Sequence, residues 1–444
     1  MKKRRLSHIQ FIALGFFIIV AVGTLLLTLP FSTRDGEGAS FISALFTAVS
    51  SSCVTGLVLH DTATYWSLFG QIVIIALIQL GGLGFMTVTL FAVGLFKKQT
   101  GLRERALLAE SINTESLGGM RRLVRIIITG TAIIELGGAA LLSIRFIPLL
   151  GTLKGIYYSL FHSISAFCNA GFDLFGSYSG EYSSFTAFSD DILVNTTIML
   201  LIIIGGIGFL VWEDLITHRF KFKAYRLHTK LVLFTTAILV FGGALLLWLF
   251  EIDGIAKDMT VKEQILTSLF GSVTARTAGF NTTDTAILSD SSKLFTAILM
   301  FIGGNSGSTA GGVKTTSIVV ILIYLFAFMR GEEPNAFGRK LQDTALKKAI
   351  TVISINLLLA LSGTFIICST NNIPLTDSLF EAFSAMGTVG MTTGITRDLN
   401  TVSVLFTAFL MYCGRVGSIT FALALLEKRT VPPVSYPTEN ITIG

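Results

Sequence analysis

The sequence predicts an all-α integral membrane protein, in which four fused helix–pore-loop–helix repeats surround a pseudo-fourfold pore. The composition, the recurrence of long apolar segments and a motif present four times support this fold class. Of the 444 residues, 52% are hydrophobic and 14% are charged, and the mean hydropathy is +0.74. A soluble protein of this size needs far more charge to cover its surface. We therefore expect most of the chain to lie in a membrane.

Long apolar segments recur along the chain, and a helix needs about 18 apolar residues to span a bilayer. Eight of them lie at about 11–30, 68–96, 124–147, 191–216, 231–250, 293–328, 349–368 and 402–426. The first follows the basic residues 2–5, as a secretory signal would. It is too long for a signal core, however, and no small-residue cleavage site follows it. An uncleaved first spanning helix is the better interpretation.

The Lys and Arg residues distinguish the two sides of the predicted membrane protein. With eight crossings both termini lie on one side, which holds 23 of these residues, against seven on the other. This asymmetry predicts cytoplasmic N- and C-termini in a multi-pass protein of the plasma membrane. The net charge of +6 is then a signal of topology, and we expect no nucleic-acid partner. Neither metal-ligand cysteine spacing nor a catalytic motif is present, so we do not expect an enzyme.

A shorter, semi-apolar stretch that ends in glycine lies between the two helices of each pair. The four copies are ALFTAVSSSCVTGL (44–57), SLFHSISAFCNAGF (159–172), SLFGSVTARTAGF (268–280) and SLFEAFSAMGTVGM (378–391). A second motif follows each copy, as QLGGLGF (79–85), IIGGIGF (203–209), FIGGNSG (301–307) and YCGRVGS (412–418). We predict repeats at 1–100, 101–220, 221–335 and 336–430, and a short cytoplasmic tail at 431–444. The third repeat is predicted to have a broken inner helix.

The glycine-ended stretches are too short to span a membrane but can enter it and return. Non-helical backbone at membrane depth persists only where it is buried in protein or lines water. Glycine accepts a positive φ, so that successive carbonyl groups can point towards one axis. A ring of such carbonyls can replace the hydration shell of a cation. Close helix packing through glycine is the alternative, and four copies in register argue against it.

These loops, with TVG at 388–390, resemble the Trk/Ktr/HKT superfamily of potassium transporters over nearly the whole chain. The resemblance implies a potassium-selectivity filter of backbone carbonyls from Val54, Thr55, Gly56, Asn169, Ala170, Gly171, Thr277, Ala278, Gly279, Thr388, Val389 and Gly390. Members with serine in the first filter tend to favour sodium, so Gly56 argues for potassium. The resemblance also implies a homodimer and a cytoplasmic nucleotide-binding regulatory ring of Rossmann-type (KtrA-type) subunits. We expect membrane lipid around the chain, no covalent cofactor, and sodium as a candidate activating ion.

The stretch FIGGNSGSTAGGVKTT (301–316) nearly matches a phosphate-binding loop. An extra valine separates its last glycine from its lysine, and no strand precedes it. The repeat alignment favours a break in the third inner helix, below its filter, with polar side chains or water satisfying the freed backbone. In the superfamily this loop is the gate. The resemblance therefore assigns a gate to Gly304, Asn305, Ser306, Gly307, Ser308, Thr309, Ala310, Gly311, Gly312 and Lys314. The alternatives are a kink for packing and, for Lys314, a side chain that simply reaches cytoplasmic water.

Arg415 aligns with Gly82, Gly206 and Gly304 of the other repeats. A single cation is thereby predicted beside the pore axis, facing the loop, and an intramembrane charge indicates function by default. We expect Arg415 to belong to the gate as an electrostatic barrier, with a purely structural arginine as the alternative.

There are two alternative functions, the first with the same architecture and the second with a different one. One is a transporter of sodium or of mixed monovalent cations. The other is an ion-coupled secondary transporter, which normally has two related halves and acidic coupling residues in the membrane. Glu135 is the one clear intramembrane acid for that role, but we expect it to be a hydrogen-bond partner between helices rather than an ion ligand.

Overall fold

A computed structural model describes residues 8–84, 87, 120–219, 221–417 and 439. The ends of the second and eighth apolar segments, the repeat boundaries at 100 and 430, and most of the predicted tail lie outside these residues. The boundary predicted after residue 220 falls in a link between two helices. The boundary after residue 335 falls in a small hairpin, β1 (Asn335–Ala336) with β2 (Arg339–Lys340).

The described chain is mainly helical, and each repeat contributes an outer, a middle and an inner helix. The outer helices are α1 (His8–Leu27), α4 (Met120–Leu150), α9 (Leu227–Glu251) and α13 (Asp343–Asn371). The middle helices are α2 (Phe41–Cys53), α5 (Thr152–Phe167), α10 (Val261–Thr274) and α14 (Leu375–Gly387). The inner helices are α3 (Leu68–Leu83), α7 (Ile192–Gly206) with α8 (Phe209–His218), α11 (Asp290–Phe301) with α12 (Thr315–Arg330), and α15 (Thr401–Val416). One further four-residue helix, α6 (Gly176–Ser179), follows α5.

Only the outer helices are unbroken and long enough to cross a membrane within the described residues. If α7 and α8, which are bent by 95° relative to each other, count as one span, there are five such candidates. The middle helices have 13 to 16 residues and are too short to cross. In the part of the chain that the structure describes, long apolar helices, short intervening helices and one hairpin of two-residue strands confirm the predicted all-α membrane fold with four repeats.

Each inner helix begins at a polar side chain that caps it. Ser67 accepts a hydrogen bond from the backbone N–H of Gly70, and Asp191 accepts one from that of Val194. Ser289 and Asn400 cap the inner helices of the third and fourth repeats in the same way. Such caps satisfy backbone donors that a helix start leaves free and stabilise it by about 1 kcal/mol each. The start of each inner helix is therefore fixed locally by the sequence.

The middle helices close the four repeats into a ring. Each middle helix packs against the outer helix of its own repeat and against the inner helix of the preceding repeat. The contacts across repeats are α5 with α3, α10 with α7, α14 with α11 and, to complete the ring, α2 with α15. The C-terminal ends of the four middle helices, where the glycine-ended loops begin, consequently meet at the centre.

Candidate functional site

The four loop glycines are packed against one another in a closed ring. A Cβ atom added to Gly56 would lie 2.6 Å from the carbonyl oxygen of Ala170, and one added to Gly171 would lie 2.8 Å from that of Ala278. The same relation joins each glycine to the next repeat. The four pairs are Gly56–Ala170, Gly171–Ala278, Gly279–Val389 and Gly390–Thr55. All four glycines have positive φ. Any larger residue would therefore strain the backbone and push a neighbouring loop away.

The first residue of each predicted filter triplet also has a left-handed backbone, although none of the four is glycine. The φ values are 59° at Val54, 60° at Asn169, 74° at Thr277 and 52° at Thr388. This conformation costs an L-residue about 1–2 kcal/mol, and it is an outlier for β-branched Val and Thr. Sequence reasoning assigned positive φ to the glycines alone and missed these residues. Strain held at four equivalent positions marks a functional segment.

A buried hydroxyl group supports each loop from the middle helix. The Oγ atoms of Ser50 and Ser384 each accept a hydrogen bond of 3.1 Å from the N–H of the loop glycine. Ser165 and Thr274 instead donate to the carbonyl oxygen of the residue after the glycine, at 2.7 and 2.6 Å. The sequence held a signal that was missed: a hydroxyl residue stands six positions, or five in the third repeat, before every loop glycine.

The carbonyl oxygens of the twelve predicted filter residues remain free for a ligand. Among the described residues, no donor forms a hydrogen bond to any of them. Backbone carbonyls at such depth need partners. Their closed arrangement is suited to coordinating a dehydrated cation, for which carbonyl oxygens are appropriate ligands.

A cavity of about 200 Å³ borders the ring and is lined by all four loop glycines. Asp61, Asp173 and Asp284 line it from the first three repeats, and Arg397 lines it from the fourth. Burial, together with the nearby Asp61, raises the pKa of Asp173 to about 7. The lining contains three carboxyl groups against one guanidinium, an excess of acidic groups that favours cations at one end of the triplets.

The predicted gate lies at the other end of the triplets. Residues 302–314 form a non-helical segment between α11 and α12. A Cβ added to Gly303 would lie 3.3 Å from the methyl group of Thr277, and one added to Gly311 would lie 3.0 Å from Cβ of Thr388. The segment thus contacts the first residues of the third and fourth triplets.

Backbone hydrogen bonds attach the loop to the second repeat. The N–H groups of Asn305 and Thr309 donate to the carbonyl oxygens of Gly206 and Gly205, at 3.1 and 3.3 Å. The carbonyl oxygen of Gly307 accepts from the first N–H of α8, at 2.7 Å. Most polar groups at the break consequently have partners, as a loop at membrane depth requires.

The two cations assigned to the gate both contact loop carbonyls. Arg415 donates from Nη1 to the carbonyl oxygen of Thr309 and from Nη2 to those of Gly81 and Gly82. The Lys314 ammonium donates to the carbonyl oxygens of Ala310 and Gly311, at 2.7 and 3.2 Å. Arg415 therefore joins the loop to the inner helix of the first repeat. Lys314 closes the loop on itself.

Three more residues of the predicted gate form hydrogen bonds within the loop or to its neighbours. Ser308 donates from Oγ to the carbonyl oxygen of Asn305, and Ser306 shares a 3.4 Å hydroxyl contact with Thr316. The N–H of Gly312 donates to the carbonyl oxygen of Gly414, next to Arg415. The fourth repeat thus holds the loop at two neighbouring points.

The other inner helices also end or bend at the second motif, which the sequence reasoning predicted only for the third. Gly84, Gly208 and Gly417 have φ values of 78°, 102° and 92° and terminate α3, bend α7 into α8, and terminate α15. These glycines occupy equivalent positions of the motif, so the repeat alignment contained the signal. A right-handed helix cannot continue through residues with such φ.

A ring of four repeats whose loop carbonyls have no protein donors is an arrangement suited to a membrane protein that transports cations. The sequence matches the family described as "TrkH: Cation transport protein" over residues 3–430. The chain belongs to this family of cation transport proteins, and it is an ion transporter and not an enzyme.

Similar proteins cover the whole chain. The Potassium/sodium uptake protein NtpJ of Enterococcus hirae is 41% identical, over 100% of this chain and 99% of that protein. The Ktr system potassium uptake protein B is 39% identical in Bacillus subtilis, over 99% of this chain and 97% of that one. In Vibrio alginolyticus it is 35% identical, over 98% and 94%. The crystal structure of the potassium transporter TrkH from Vibrio parahaemolyticus superimposes with a TM-score of 0.72 at 16% identity, covering 96% of this chain and 86% of that chain. These matches confirm the resemblance on which the expectations rested.

Proposed function

We propose that the chain takes up potassium across the cell membrane through a filter formed by the twelve triplet carbonyls. The observation that carries this proposal is the closed ring of loop glycines, each packed on a carbonyl of the next repeat, with the triplet carbonyls free of protein donors. Relatives named as potassium uptake proteins support potassium as the ion. Transport is passive in this proposal and is driven by the membrane potential.

The proposal includes sodium, either as a second transported ion or as an activating ion. One relative is named as a potassium/sodium uptake protein, which supports either sodium passage or activation by sodium. The absence of a serine from all four triplets supports potassium as the preferred ion. An ion-coupled secondary transporter is not favoured, because the repeats form one ring of four rather than two halves.

The loop 304–314 and Arg415 act as the gate in this proposal. The loop lies next to the first residues of two triplets, and Arg415 holds it through the carbonyl oxygen of Thr309. Release of this contact would let the loop move away from the pathway. Since hydrogen bonds to a charged donor contribute about 1.5–3 kcal/mol each, Arg415 can hold the closed state firmly.

Control by a separate subunit completes the proposal. We infer cytoplasmic termini from the distribution of Lys and Arg, and a homodimer that binds a KtrA-type nucleotide-binding ring on its cytoplasmic side. Several relatives are components of Ktr systems, which supports a partner subunit.

The gate is tested with Arg415→Ala in proteoliposomes without a partner subunit. We expect the potassium leak to increase at least about tenfold, because loss of one charged hydrogen bond alone shifts the closed–open equilibrium that far. Arg339→Ala, on the exposed hairpin, is the matched control. A correctly inserted Arg415→Ala protein with the leak of the control would contradict the gate.

A further inference from the structure

Glu135 lies in the middle of the outer helix α4 and is buried, with 7% of its surface exposed. Its carboxylate oxygens contact two side chains, one on α3 and one directly after α5. Gln79 on α3 donates from Nε2 to Oε2 at 3.2 Å, and the Cys168 thiol lies 3.9 Å from Oε1. The same thiol lies 3.5 Å from Oε1 of Gln79, so its single proton has two neighbouring acceptors. Glu135, Gln79 and Cys168 thus form a closed triangle of contacts.

Two members of the triangle lie next to the proposed filter and gate. Cys168 directly precedes Asn169, the strained first residue of the second triplet. Gln79 lies two residues before Gly81 on α3, and Arg415 donates to the carbonyl oxygens of Gly81 and Gly82.

Cys168 also packs directly against the end of α3. A Cβ on Gly82 would lie 2.6 Å from Sγ of Cys168, so α3 and the second loop approach without a side chain between them.

Hydrogen bonds through the gate loop also connect Arg415 to the residue before Cys168. Arg415 donates to the carbonyl oxygen of Thr309, and the hydroxyl of Thr309 donates to the carbonyl oxygen of Phe167 at 3.3 Å. Phe167 adjoins Cys168. A circuit therefore runs from Glu135 through Gln79, the end of α3, Arg415 and Thr309 to the second loop, and back to Glu135 through Cys168.

We propose that Glu135 is a positioning residue for the gate. Its carboxylate holds Gln79 and Cys168 in the arrangement that points the carbonyl oxygens of Gly81 and Gly82 at Arg415. This inference rests on the proposed function of Arg415 and adds a residue on a helix remote from the loop. Without the carboxylate, the end of α3 shifts relative to the second loop and Arg415 loses two of its three acceptors. The guanidinium is then no longer held in place against the carbonyl oxygen of Thr309, and the loop 304–314 is released.

An exchange of side chains tests the proposal without changing their size. Gln79→Glu alone places two carboxylates in contact, and Glu135→Gln alone leaves one donor without an acceptor. The double variant restores a carboxylate–amide pair in the reverse order. We expect Gln79→Glu to increase the potassium leak of the purified protein in liposomes roughly tenfold, which corresponds to about 1.4 kcal/mol. We expect a smaller increase for Glu135→Gln, and a return to within about twofold of wild type for the exchange.

Ser163→Ala is the matched control for packing. Ser163 donates from Oγ to the backbone carbonyl of Glu135 at 2.6 Å, so this variant weakens the same contact between α4 and α5 without touching the carboxylate. It should lower the melting temperature and leave the leak unchanged. An equal leak in Ser163→Ala and Gln79→Glu would reduce Glu135 to a packing role and overturn the proposal.

A double-mutant cycle with Arg415→Ala separates this inference from the proposed gate. In the Arg415→Ala background, Gln79→Glu should add nothing, because the contact it disturbs is already lost. If Arg415→Ala raises the leak and Gln79→Glu does not, the gate stands and the role of Glu135 fails. If the two changes multiply, Glu135 acts by another route. If Arg415→Ala has no effect, the gate and this inference both fail.

Discussion

Replacement of one loop glycine by alanine should reduce ion selectivity in a protein that still folds. In Gly171→Ala the new methyl group would lie 2.8 Å from the carbonyl oxygen of Ala278 and 3.0 Å from Cα of Gly279. Ordinary contact begins at 3.4 Å, so the carbonyl must retreat by 0.6 Å and the Cα atom by 0.4 Å. These atoms belong to the third triplet, and its displacement changes the distance from its carbonyls to a bound ion.

The backbone cost of this substitution can be subtracted with a control. Gly36 has φ of +76°, close to the +71° of Gly171, but a Cβ there would have nothing within 4 Å. Both alanine variants adopt a left-handed backbone, at about 1–2 kcal/mol each, but only Gly171→Ala also displaces a triplet. Gly36→Ala therefore shows the effect of backbone strain alone.

The assay compares potassium and sodium flux in proteoliposomes under an inside-negative potential, with thermal unfolding of the detergent-solubilised protein beside it. We expect Gly36→Ala to keep the wild-type flux ratio and Gly171→Ala to lose most of it. Equal flux ratios in the two folded variants would refute the reasoning that the ring of glycines sets selectivity.

Two further predictions concern the surroundings of the filter. Ser50→Ala should lower the potassium-to-sodium flux ratio, because it leaves the buried N–H of Gly56 without its acceptor at a cost of about 1–3 kcal/mol. Ser51→Ala, which removes only a bond to Thr47 in the same helix, should leave the ratio unchanged, and a shared loss would contradict the role of Ser50. For Asp173, a folded-state pKa of about 7 against the ordinary aspartate value of 3.8 means that wild-type stability falls as pH rises from about 4 to 7 and then levels off. The melting temperature of Asp173→Asn relative to that of wild type should therefore increase between pH 5 and 7 and stay constant up to pH 8. A difference that does not depend on pH would contradict the pKa shift.

The repeats and the break in the third inner helix could be predicted because their signals are local. A semi-apolar stretch too short to span, a terminal glycine and a following GG motif recur in the same order four times. The polar caps of the inner helices are equally local, since each involves residues three positions apart. The sequence therefore predicted the fold class and the region of the site.

The contacts that hold the site together could not be predicted, because they join residues from different repeats. The left-handed backbone of Val54 and Thr388 ends α2 and α14 through hydrogen bonds within the same repeat, but it opposes the local preference of both β-branched residues. Two of the three acceptors of Arg415 lie on α3, more than 300 positions away along the chain. The alignment of Arg415 with three glycines predicted its depth and its facing of the loop, but not its partners.

The contacts of Glu135 could also be predicted only in part. A lone acid within an apolar helix predicts a polar contact across helices, and two such contacts are present. The direction of those contacts, towards α3 and the second loop rather than towards lipid or an ion, depends on which helices the ring brings together.

The central claim is a potassium-selective pathway through the ring of four loops. It is tested most directly by uptake of potassium and of sodium into liposomes that contain the purified protein, under an imposed inside-negative potential, with and without external sodium. The account predicts potassium uptake that exceeds sodium uptake and collapses when the potential is removed. Equal uptake of the two ions, or potassium uptake that does not depend on the potential, would contradict it.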